Sequence, residues 1–341
     1  MQLSDYTYEL PEEAIALHPP KERGASRLLV LDRKTGEIRD DFYTHLDDFL
    51  RSGDLLILNN TRVLPARLIA HTEDGAGREI LLLEKHGKGN DHHTSHVMYR
   101  RKIRPGQKLL VGETEIVVDE IFENGTAIIS SHTDLWELAE AQGTVPLPPY
   151  MHRTEEPGDR ARYQTVFAKE RGSVAAPTAS LNLTPELLER IKQKDVAVAE
   201  ITLHVGLGTF MPIRVEDVTK HKMHQEYFEI SAEVAEQIRH TKKQGGRVIA
   251  VGTTVTRTLE YTAEKLIDGE GDITGEADIF IYPGYEFKIV DGLVTNYHAP
   301  GSTVLMMASA FAGWDNLRTA YEHALTQKYA FLSYGDSMFI S

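Results

Sequence analysis

Short apolar runs alternate with amphipathic helical repeats along much of the chain. The run 196–203 is rich in β-branched residues and ends in a polar turn that contains glycine. Thr184 and Ser302 stand where helical repeats begin, and both residue types are good helix N-caps. Strands that alternate with helices are typical of a layered α/β domain. The strands predicted from this pattern are 27–32, 54–58, 196–203, 223–230, 247–252, 279–282 and 331–334, and the helices are 42–50, 134–142, 184–194, 231–244, 303–312 and 315–327.

The stretch from Ala66 to about Pro146 has a different texture, because its apolar runs are shorter and glycine-bearing turns separate them. Regularly spaced short strands of this kind predict a small antiparallel β-barrel. We therefore expect an α/β fold, namely a three-layer α/β/α sandwich formed by residues 1–65 and 147–341, into which residues 66–146 insert the barrel domain. The strand-like runs of the insert are 79–83, 97–99, 108–111, 114–118 and 126–130.

Composition narrows the class of protein. The 341 residues include no cysteine, which excludes disulfides and thiolate chemistry and suits a reducing cytoplasm. The N-terminal stretch MQLSDYTYELPEEAIA is acidic and lacks the apolar core of a signal peptide, and no apolar run is long enough to span a membrane. The net charge of −14 argues against indiscriminate binding to nucleic acid, although it leaves room for a local basic face.

Such a basic segment lies inside the predicted barrel. Between Asn60 and Leu110 there are ten Lys and Arg residues against five Asp and Glu residues. A basic segment in an acidic protein is the pattern of a local phosphate-backbone contact, although an ordinary solvated face has the same composition. The densest part of the segment consists of Arg100, Arg101, Lys102 and Arg104, which we predict to contact the phosphates of a nucleic acid.

Polar residues follow three of the predicted strands, at the edge of the sheet where α/β proteins bind ligands. His204 follows the strand 196–203 and precedes Gly206 and Gly208, which let the backbone turn or approach a ligand closely. The strand 54–58 ends in amides and guanidiniums, which suit a phosphate, a carboxylate or a nucleobase, or a hydrogen-bonded linker between domains. The turn Thr253-Thr254 opens a helix and could hold an anion or a sugar.

Four histidines lie in the segment 85–96. A metal site there is conceivable, but no carboxylate pattern or helical spacing supports one, and we favour a flexible hairpin loop. We expect no metal in this protein.

Eight segments occur together and in order, and they resemble the S-adenosylmethionine:tRNA ribosyltransferase-isomerases of queuosine synthesis. The resemblance covers essentially the whole chain and implies an α/β domain with a β-barrel inserted near the N-terminal third. It also implies a cytoplasmic enzyme that moves the ribosyl part of S-adenosylmethionine onto 7-aminomethyl-7-deazaguanine at the tRNA wobble position. Epoxyqueuosine forms in the tRNA, and adenine and methionine leave. The segments are NNTRVLPAR at 59–67, PLPPY at 146–150, RYQTV at 162–166, AAPT at 175–178, LHVGLGTF at 203–210, VGTT with TRTLE at 251–260, YPGYEF at 282–287 and SYGD at 333–336.

The implied chemistry assigns candidate roles to residues in these segments. The C5′ carbon beside the sulfonium must lose a proton, so a base must lie within hydrogen-bonding reach. The leading candidates are His204 and His298, followed by Glu226 and Asp336. The sulfonium favours aromatic faces, and the methionine carboxylate favours a cation or a helix N-terminus. The predicted substrate-binding residues are Asn60, Arg62, Arg67, Thr178, Asn182, Gly206, Gly208, Thr209, Thr253, Thr254, Arg257, Tyr282, Tyr285 and Tyr297.

The chain departs from the family pattern at one motif. Where the family continues with Gly-Leu-His-Phe-Thr, this chain has Ser180, Leu181, Asn182, Leu183 and Thr184. Asparagine can hydrogen-bond but cannot shuttle a proton near neutral pH. The departure leaves open an alternative in which the protein is a catalytically impaired paralogue that still binds tRNA or a nucleoside. A transferase for a free small-molecule acceptor is a weaker option. No cofactor is expected beyond S-adenosylmethionine as the ribosyl donor, and we expect a monomer.

Overall fold

The computed structural model describes residues 1–83, 92–206, 213 and 215–341. Its strands in chain order are β1 (Arg27–Leu31), β2 (Ile38–Phe42), β3 (Leu55–Asn59), β4 (Thr61–Val63), β5 (Arg67–His71), β6 (Gly77–Leu82), β7 (Thr94–Arg100), β8 (Lys108–Val111), β9 (Thr114–Ile121), β10 (Thr126–Ser131), β11 (Glu170–Ser173), β12 (Ala197–Leu203), β13 (Glu226–Ile230), β14 (Val248–Val251), β15 (Ile273–Ala277), β16 (Gly292–Asn296) and β17 (Ser337–Ile340).

The helices lie mainly in the C-terminal half. The α-helices are α1 (Leu135–Gln142), α2 (Asp159–Arg162), α3 (Pro185–Gln193), α4 (Ala232–Lys243), α5 (Thr253–Tyr261), α6 (Ala263–Asp268), α7 (Thr303–Ala312) and α8 (Trp314–Thr326). Short 3-10 helices span Leu3–Asp5, Glu12–Ala14, Tyr43–Phe49, Pro149–Met151, Thr178–Ser180 and Val218–Lys220. Among the described residues, no helix is long and apolar enough to cross a lipid bilayer.

The main sheet has the strand order β15-β13-β12-β3-β14-β16-β17-β1-β2 across the described residues. Its four central strands β12, β3, β14 and β16 run parallel to one another. Both faces of β3, β14 and β16 are buried, as parallel strands between two helical layers require, whereas β12 is partly exposed in its first half. Leu55 and Ile57 of β3 pack in the core that contains α4 to α8, whereas Leu56 and Leu58 pack against α3 and the 3-10 helix Tyr43–Phe49. The predicted three-layer α/β/α sandwich is confirmed.

The predicted insert is also present as a closed β-barrel of six strands in the described part of the chain, with the order β10-β7-β6-β5-β8-β9. Every neighbouring pair in it is antiparallel. Its apolar interior includes Leu68, Ile80, Val97 and Ile129, and α1 packs on the same core through Trp136. The exact domain boundaries at 65/66 and 146/147 stay a prediction.

Two of the predicted strands are absent and a third is shorter than predicted. The segment 279–282 is not a strand, because β15 takes the sheet edge beside β13 and the apolar side chains after β15 pack near Met306 in a loop. The sheet closes with β17 and not with 331–334, where Leu332 has a φ of 69° that is incompatible with a strand. The predicted strand 223–230 begins only at Glu226, as β13. The predicted helix 42–50 is present as the 3-10 helix Tyr43–Phe49.

Candidate active site at the carboxyl edge of the sheet

The four central parallel strands deliver polar residues to one edge. Strand β3 ends at Asn59, β12 is followed by His204, β14 leads through Gly252 into α5, and β16 ends at Asn296. Because parallel strands share a direction, their carboxyl ends meet at the same edge, where α/β sheets form ligand crevices. This edge was predictable from the sequence because each polar residue lies within a few positions of the end of its strand.

The buried side chain of Asn59 links two of these strand ends. Its Nδ2 donates to the carbonyl of Leu203 at 3.0 Å, and its Oδ1 accepts from the backbone N–H of Leu203 at 3.0 Å and of Thr61 at 3.1 Å. These backbone groups lie just beyond the point where β3 and β12 stop pairing with each other, so the amide satisfies polar groups that would otherwise be buried without partners. The strands can therefore separate here at no cost in unmade hydrogen bonds.

A cavity of about 300 Å³, the edge cavity, lies at this edge. The hydroxyl of Thr178 donates to Asn296 Oδ1 at 2.9 Å in its wall. Two helices begin at the cavity, α5 at Thr253 and α7 behind its N-cap Ser302. Helix N-termini present unpaired N–H groups and a partial positive charge, so they favour an anionic group in the cavity. Other lining residues are Pro149, Tyr150, Ala176, Tyr297, His298, Ala299, Pro300, Gly301, Val304, Leu332 and Ser333.

His298 is the titratable imidazole in this lining. Its Nε2 lies 2.8 Å from Thr295 Oγ1, and its backbone N–H donates to the hydroxyl of Tyr321 at 3.0 Å. Burial lowers the pKa of His298 to about 3, because a desolvated imidazolium is unfavourable. The ring is therefore neutral near pH 7, and it can accept a proton or a hydrogen bond but cannot act as a general acid.

A smaller cavity, the Arg257 cavity, adjoins the edge cavity and shares Thr253 and Val304 with it. Arg257 is only 6% exposed. Its Nη1 pairs with a carboxylate oxygen of Glu226, and its Nε donates to the carbonyl of Ile279 at 3.3 Å. Its Nη2 is buried and makes no hydrogen bond within the described residues. A buried donor of this kind is costly unless a ligand satisfies it.

Glu226 is almost fully buried, at 1% exposure. Besides the ion pair with Arg257, its Oε1 accepts the backbone N–H of Gly206 at 3.0 Å. Both carboxylate oxygens are thus engaged, and Glu226 does not line the edge cavity. The pair joins the start of β13 to α5 and holds the chain that follows β12.

His204 is 3% exposed and does not line the edge cavity. Its Nδ1 lies 2.9 Å from Thr61 Oγ1, and its ring is stacked at 5.8 Å from that of Tyr227. A Cβ at Gly172 would lie 2.5 Å from Nε2 of His204, so only glycine allows the imidazole this position. The catalytic role predicted for His204 stays a prediction.

Asp336 and Asn182 are also held by their surroundings. The carboxylate of Asp336 accepts the backbone N–H groups of Arg27 and Ala330, and burial raises its pKa. Asn182 accepts from Ser26 Oγ at 2.9 Å and donates to Ser337 Oγ at 3.3 Å. Neither residue lines the edge cavity. The residue at which the chain departs from its family pattern therefore lies in a buried hydrogen-bond network that ties β1 to β17.

The three candidate tyrosines lie in different places. The ring of Tyr297 is fully buried and stacks on Phe331 at 4.6 Å, although the residue borders the edge cavity. Tyr285 donates to Glu260 Oε2 at 3.1 Å, and burial followed by the Glu260 charge raises the pKa of its phenol. Tyr282 packs beside Phe280 at 5.3 Å. The structure does not gather these rings around one point.

The remaining candidates divide between the two domains. Asn60 accepts from Thr202 Oγ1 at 2.8 Å, and Arg62 is exposed on β4. Arg67 lies in the barrel, where its Nε is 3.4 Å from Glu79 Oε1. Thr254 lines the Arg257 cavity. Gly208 and Thr209 lie outside the described residues, and Arg100, Arg101, Lys102 and Arg104 are exposed on the barrel.

The predicted site residues did not include four polar residues of the edge cavity, namely Tyr150, Asn296, Ser302 and Ser333. The hydroxyl of Tyr150 hydrogen-bonds Ser333 and accepts from its backbone N–H at 3.0 Å. Asn296 could have been found, because it ends the short run Leu293-Val294-Thr295 and lies two residues before His298. Among the described residues, no group of three or more His, Asp and Glu side chains is arranged to hold a metal ion.

The fold and the site define a protein of the α/β class with a cavity at the carboxyl edge of its sheet and an inserted β-barrel that carries an exposed basic segment. The family model described as queuosine biosynthesis protein matches residues 3–340. The chain belongs to this family.

Proteins with curated names are similar in sequence to this chain over their full lengths. The chain is 54% identical to the S-adenosylmethionine:tRNA ribosyltransferase-isomerase of Pelodictyon phaeoclathratiforme and 47% identical to that of Thermotoga petrophila, with all of each chain covered. It is also similar to the crystal structure of S-adenosylmethionine tRNA ribosyltransferase from Thermotoga maritima, at 35% identity and a TM-score of 0.58. That similarity covers 99% of this chain and 100% of the other.

Proposed function

We propose that this protein is an S-adenosylmethionine:tRNA ribosyltransferase-isomerase. It transfers the ribosyl group of S-adenosylmethionine to 7-aminomethyl-7-deazaguanine at the tRNA wobble position and yields epoxyqueuosine, adenine and methionine. The observation that carries the proposal is the match to this family and to its named members along essentially the entire chain. The same names support the enzyme interpretation and not the impaired-paralogue alternative.

In this proposal S-adenosylmethionine binds in the edge cavity, with its methionine carboxylate at the N-termini of α5 and α7. Thr253 and Val304 line both cavities, so the carboxylate lies next to the Arg257 cavity. That cavity has a volume of only about 10 Å³, room for one water molecule, so it must widen before the carboxylate reaches the buried Nη2 of Arg257. The ribose and adenine then occupy the wider edge cavity, where Thr178 and Asn296 offer hydrogen bonds.

His298 becomes the first candidate for the base that removes the C5′ proton. Of the four residues proposed from sequence for this role, it is the one that lines the edge cavity. Its ring is neutral near pH 7 and has the free lone pair that a base needs, and its lowered pKa makes it a weaker base than a solvated imidazole. Glu226 and Asp336 are instead held by several hydrogen bonds each, which support structure around the cavity.

The decisive experiment measures adenine release from S-adenosylmethionine by the purified protein. Release should require tRNA that carries the aminomethyl base, and unmodified tRNA and the free base are the matched controls. Normal binding of S-adenosylmethionine without any release would refute the proposal and restore the binding-protein alternative. The proposal also includes a cytoplasmic location, where tRNA and S-adenosylmethionine both occur, and a monomeric enzyme.

Replacing Arg100, Arg101, Lys102 and Arg104 with glutamine should raise the Michaelis constant for tRNA. All four side chains are exposed on the barrel, and phosphate contacts to single-stranded RNA each contribute about 0.7 to the slope of log K against log salt. The salt dependence of the Michaelis constant should therefore flatten by up to about 3. The matched control replaces four exposed cations of the α/β part, Lys192, Lys243, Lys265 and Arg318. An equal effect in both variants would show a nonspecific charge effect.

Asn182→His should change the rate of adenine release by less than about tenfold, which corresponds to about 1.4 kcal/mol in the barrier. The reason is that Asn182 does not line the edge cavity and is committed to Ser26 and Ser337. The same substitution should lower the free energy of unfolding by about 1–3 kcal/mol, because it disturbs buried hydrogen bonds. Both quantities are measured by single-turnover kinetics and urea unfolding. A large gain in rate would show that asparagine had impaired the enzyme.

A further inference from the structure

A third cavity, the barrel cavity, lies where the barrel meets the α/β domain. It has a volume of about 90 Å³, and its lining includes Tyr99 of β7 and Val174 of the α/β domain. It shares Pro149 with the edge cavity, so one residue separates the two. A polymer whose reacting unit enters the edge cavity therefore has its neighbouring unit close to the barrel cavity.

The outer face of β5, β6 and β7 forms one wall of this cavity. Strand pairing aligns Arg67, Leu81 and Met98 in one row across the three strands. The next row aligns Ile69, Glu79 and Arg100. Ile69 is 49% exposed, which is unusual for an isoleucine. The surface is thus an apolar strip with a guanidinium in each row.

The charges of this wall are only partly compensated. Arg67 Nε lies 3.4 Å from Glu79 Oε1, and Arg100 Nη1 lies 3.8 Å from Glu79 Oε2, so one carboxylate serves two guanidiniums. Arg67 Nε is buried and makes no hydrogen bond among the described residues. The exposed cations at 101, 102 and 104 continue the positive surface. The slot is apolar and is bordered by cations and by Arg67, whose Nε has an ion pair with Glu79 but no hydrogen bond to any described residue. Such a slot matches a nucleobase attached to a phosphate backbone.

We propose that the barrel cavity binds the base of the RNA nucleotide directly next to the modified wobble nucleotide. The proposal rests on the function proposed above. The base lies against Leu81, Met98 and Tyr99, and a carbonyl or ring nitrogen of the base accepts from Arg67. Its phosphate lies toward Arg100. Single-stranded nucleic acid is held in this way, by flat contacts to the bases and cations along the backbone.

The test compares anticodon stem-loop RNAs that carry the modified base, with and without an abasic residue on its 5′ or 3′ side. With the wild-type enzyme, one of the two abasic RNAs should have a Michaelis constant about tenfold higher than the intact RNA. The Michaelis constant for S-adenosylmethionine should not change. The double substitution Leu81→Ala and Met98→Ala should raise it by a similar factor at an unchanged salt slope. When the double variant is assayed with the abasic RNA, the Michaelis constant for RNA should rise little further, because both changes remove the same contact.

Leu110→Ala is the matched control, because Leu110 is an exposed leucine of the barrel that does not line the cavity. If no RNA supports adenine release, the proposed function fails. If release is normal and neither abasic RNA changes the Michaelis constant, the barrel cavity is not a base site. The inference would also be overturned if the increases in the Michaelis constant for RNA multiplied when the double variant was assayed with the abasic RNA. A weaker salt dependence of that constant in the double variant would overturn it as well. The abasic RNAs test wild-type enzyme, so the result does not depend on folding of the variants.

Discussion

Arg257→Met should lower the free energy of unfolding by about 3–5 kcal/mol, because it leaves the carboxylate of Glu226 buried without its countercharge. It should also raise the Michaelis constant for S-adenosylmethionine, because the unsatisfied Nη2 is lost as the proposed carboxylate donor. The first effect is measured by urea unfolding and the second by initial rates at saturating RNA. Both effects stem from one guanidinium that serves two partners.

A second substitution separates these two roles. Glu226→Gln removes the uncompensated negative charge but keeps an oxygen that can accept a hydrogen bond from the backbone N–H of Gly206. The double variant Arg257→Met with Glu226→Gln should therefore recover much of the lost stability, while the Michaelis constant for S-adenosylmethionine stays high. If the Michaelis constant returns to the wild-type value along with the stability, Arg257 acts only through Glu226 and does not touch the substrate.

His298→Ala should slow adenine release by about 10²–10⁴-fold, the range that a general base contributes. Because its burial keeps the ring neutral, kcat/KM should show no titration of His298 above pH 5. His298→Gln preserves a hydrogen bond but not proton transfer, so it should be nearly as slow as the alanine variant. A glutamine variant with most of the wild-type rate would reduce His298 to a positioning residue.

The low pKa of His298 has a second consequence, for stability. An unfolded histidine titrates near pH 6.5, whereas His298 in the folded protein titrates near pH 3. As the pH falls through this window the unfolded chain binds the proton first, so stability is complete above about pH 6.5 and declines below it. The decline is up to about 1.4 kcal/mol per pH unit. The difference in unfolding free energy between wild type and His298→Gln, measured at pH 7.5 and 5.5, isolates this contribution.

The prediction for His204 is decided by the same kinetic assay. His204→Ala with a loss of at least 10²-fold and an unchanged thermal midpoint would place His204 at the reaction centre. An earlier thermal midpoint with a normal rate in the folded fraction would instead reflect the buried contacts with Thr61 and Gly172. The two histidines thus serve as controls for each other.

Strand ends were predictable because their signal is local. The apolar run of β12 and the polar turn after it appear side by side in the sequence, and so do β14 and the start of α5. Which polar residue faces the cavity was not predictable, because it depends on distant partners. His204 follows its strand as His298 follows β16, yet Thr61 and Gly172 enclose the first and the second borders open space.

The failed strand at 331–334 has a similar cause. Its apolar residues fit a strand as well as those of β17 do, but β17 takes the place between β1 and β16, and Leu332 adopts a positive φ. The role of Asn182 was likewise hidden, because Ser26 and Ser337 approach it from opposite ends of the chain. Pairings of this kind become visible only when the tertiary structure is known.

The short parallel ladder between β4 and β11 brings together two segments of the α/β domain that lie on either side of the barrel insert, with Glu170 opposite Thr61. The whole intervening segment is therefore one closed loop. Loop-closure entropy grows only logarithmically with length, so a loop of about 100 residues costs roughly 3–4 kcal/mol more to close than a tight turn. That cost falls on the α/β domain only if it folds before the barrel. A barrel that folds first shortens the effective loop, which favours an order of folding in which the inserted module leads and the surrounding sheet closes around its two adjacent ends.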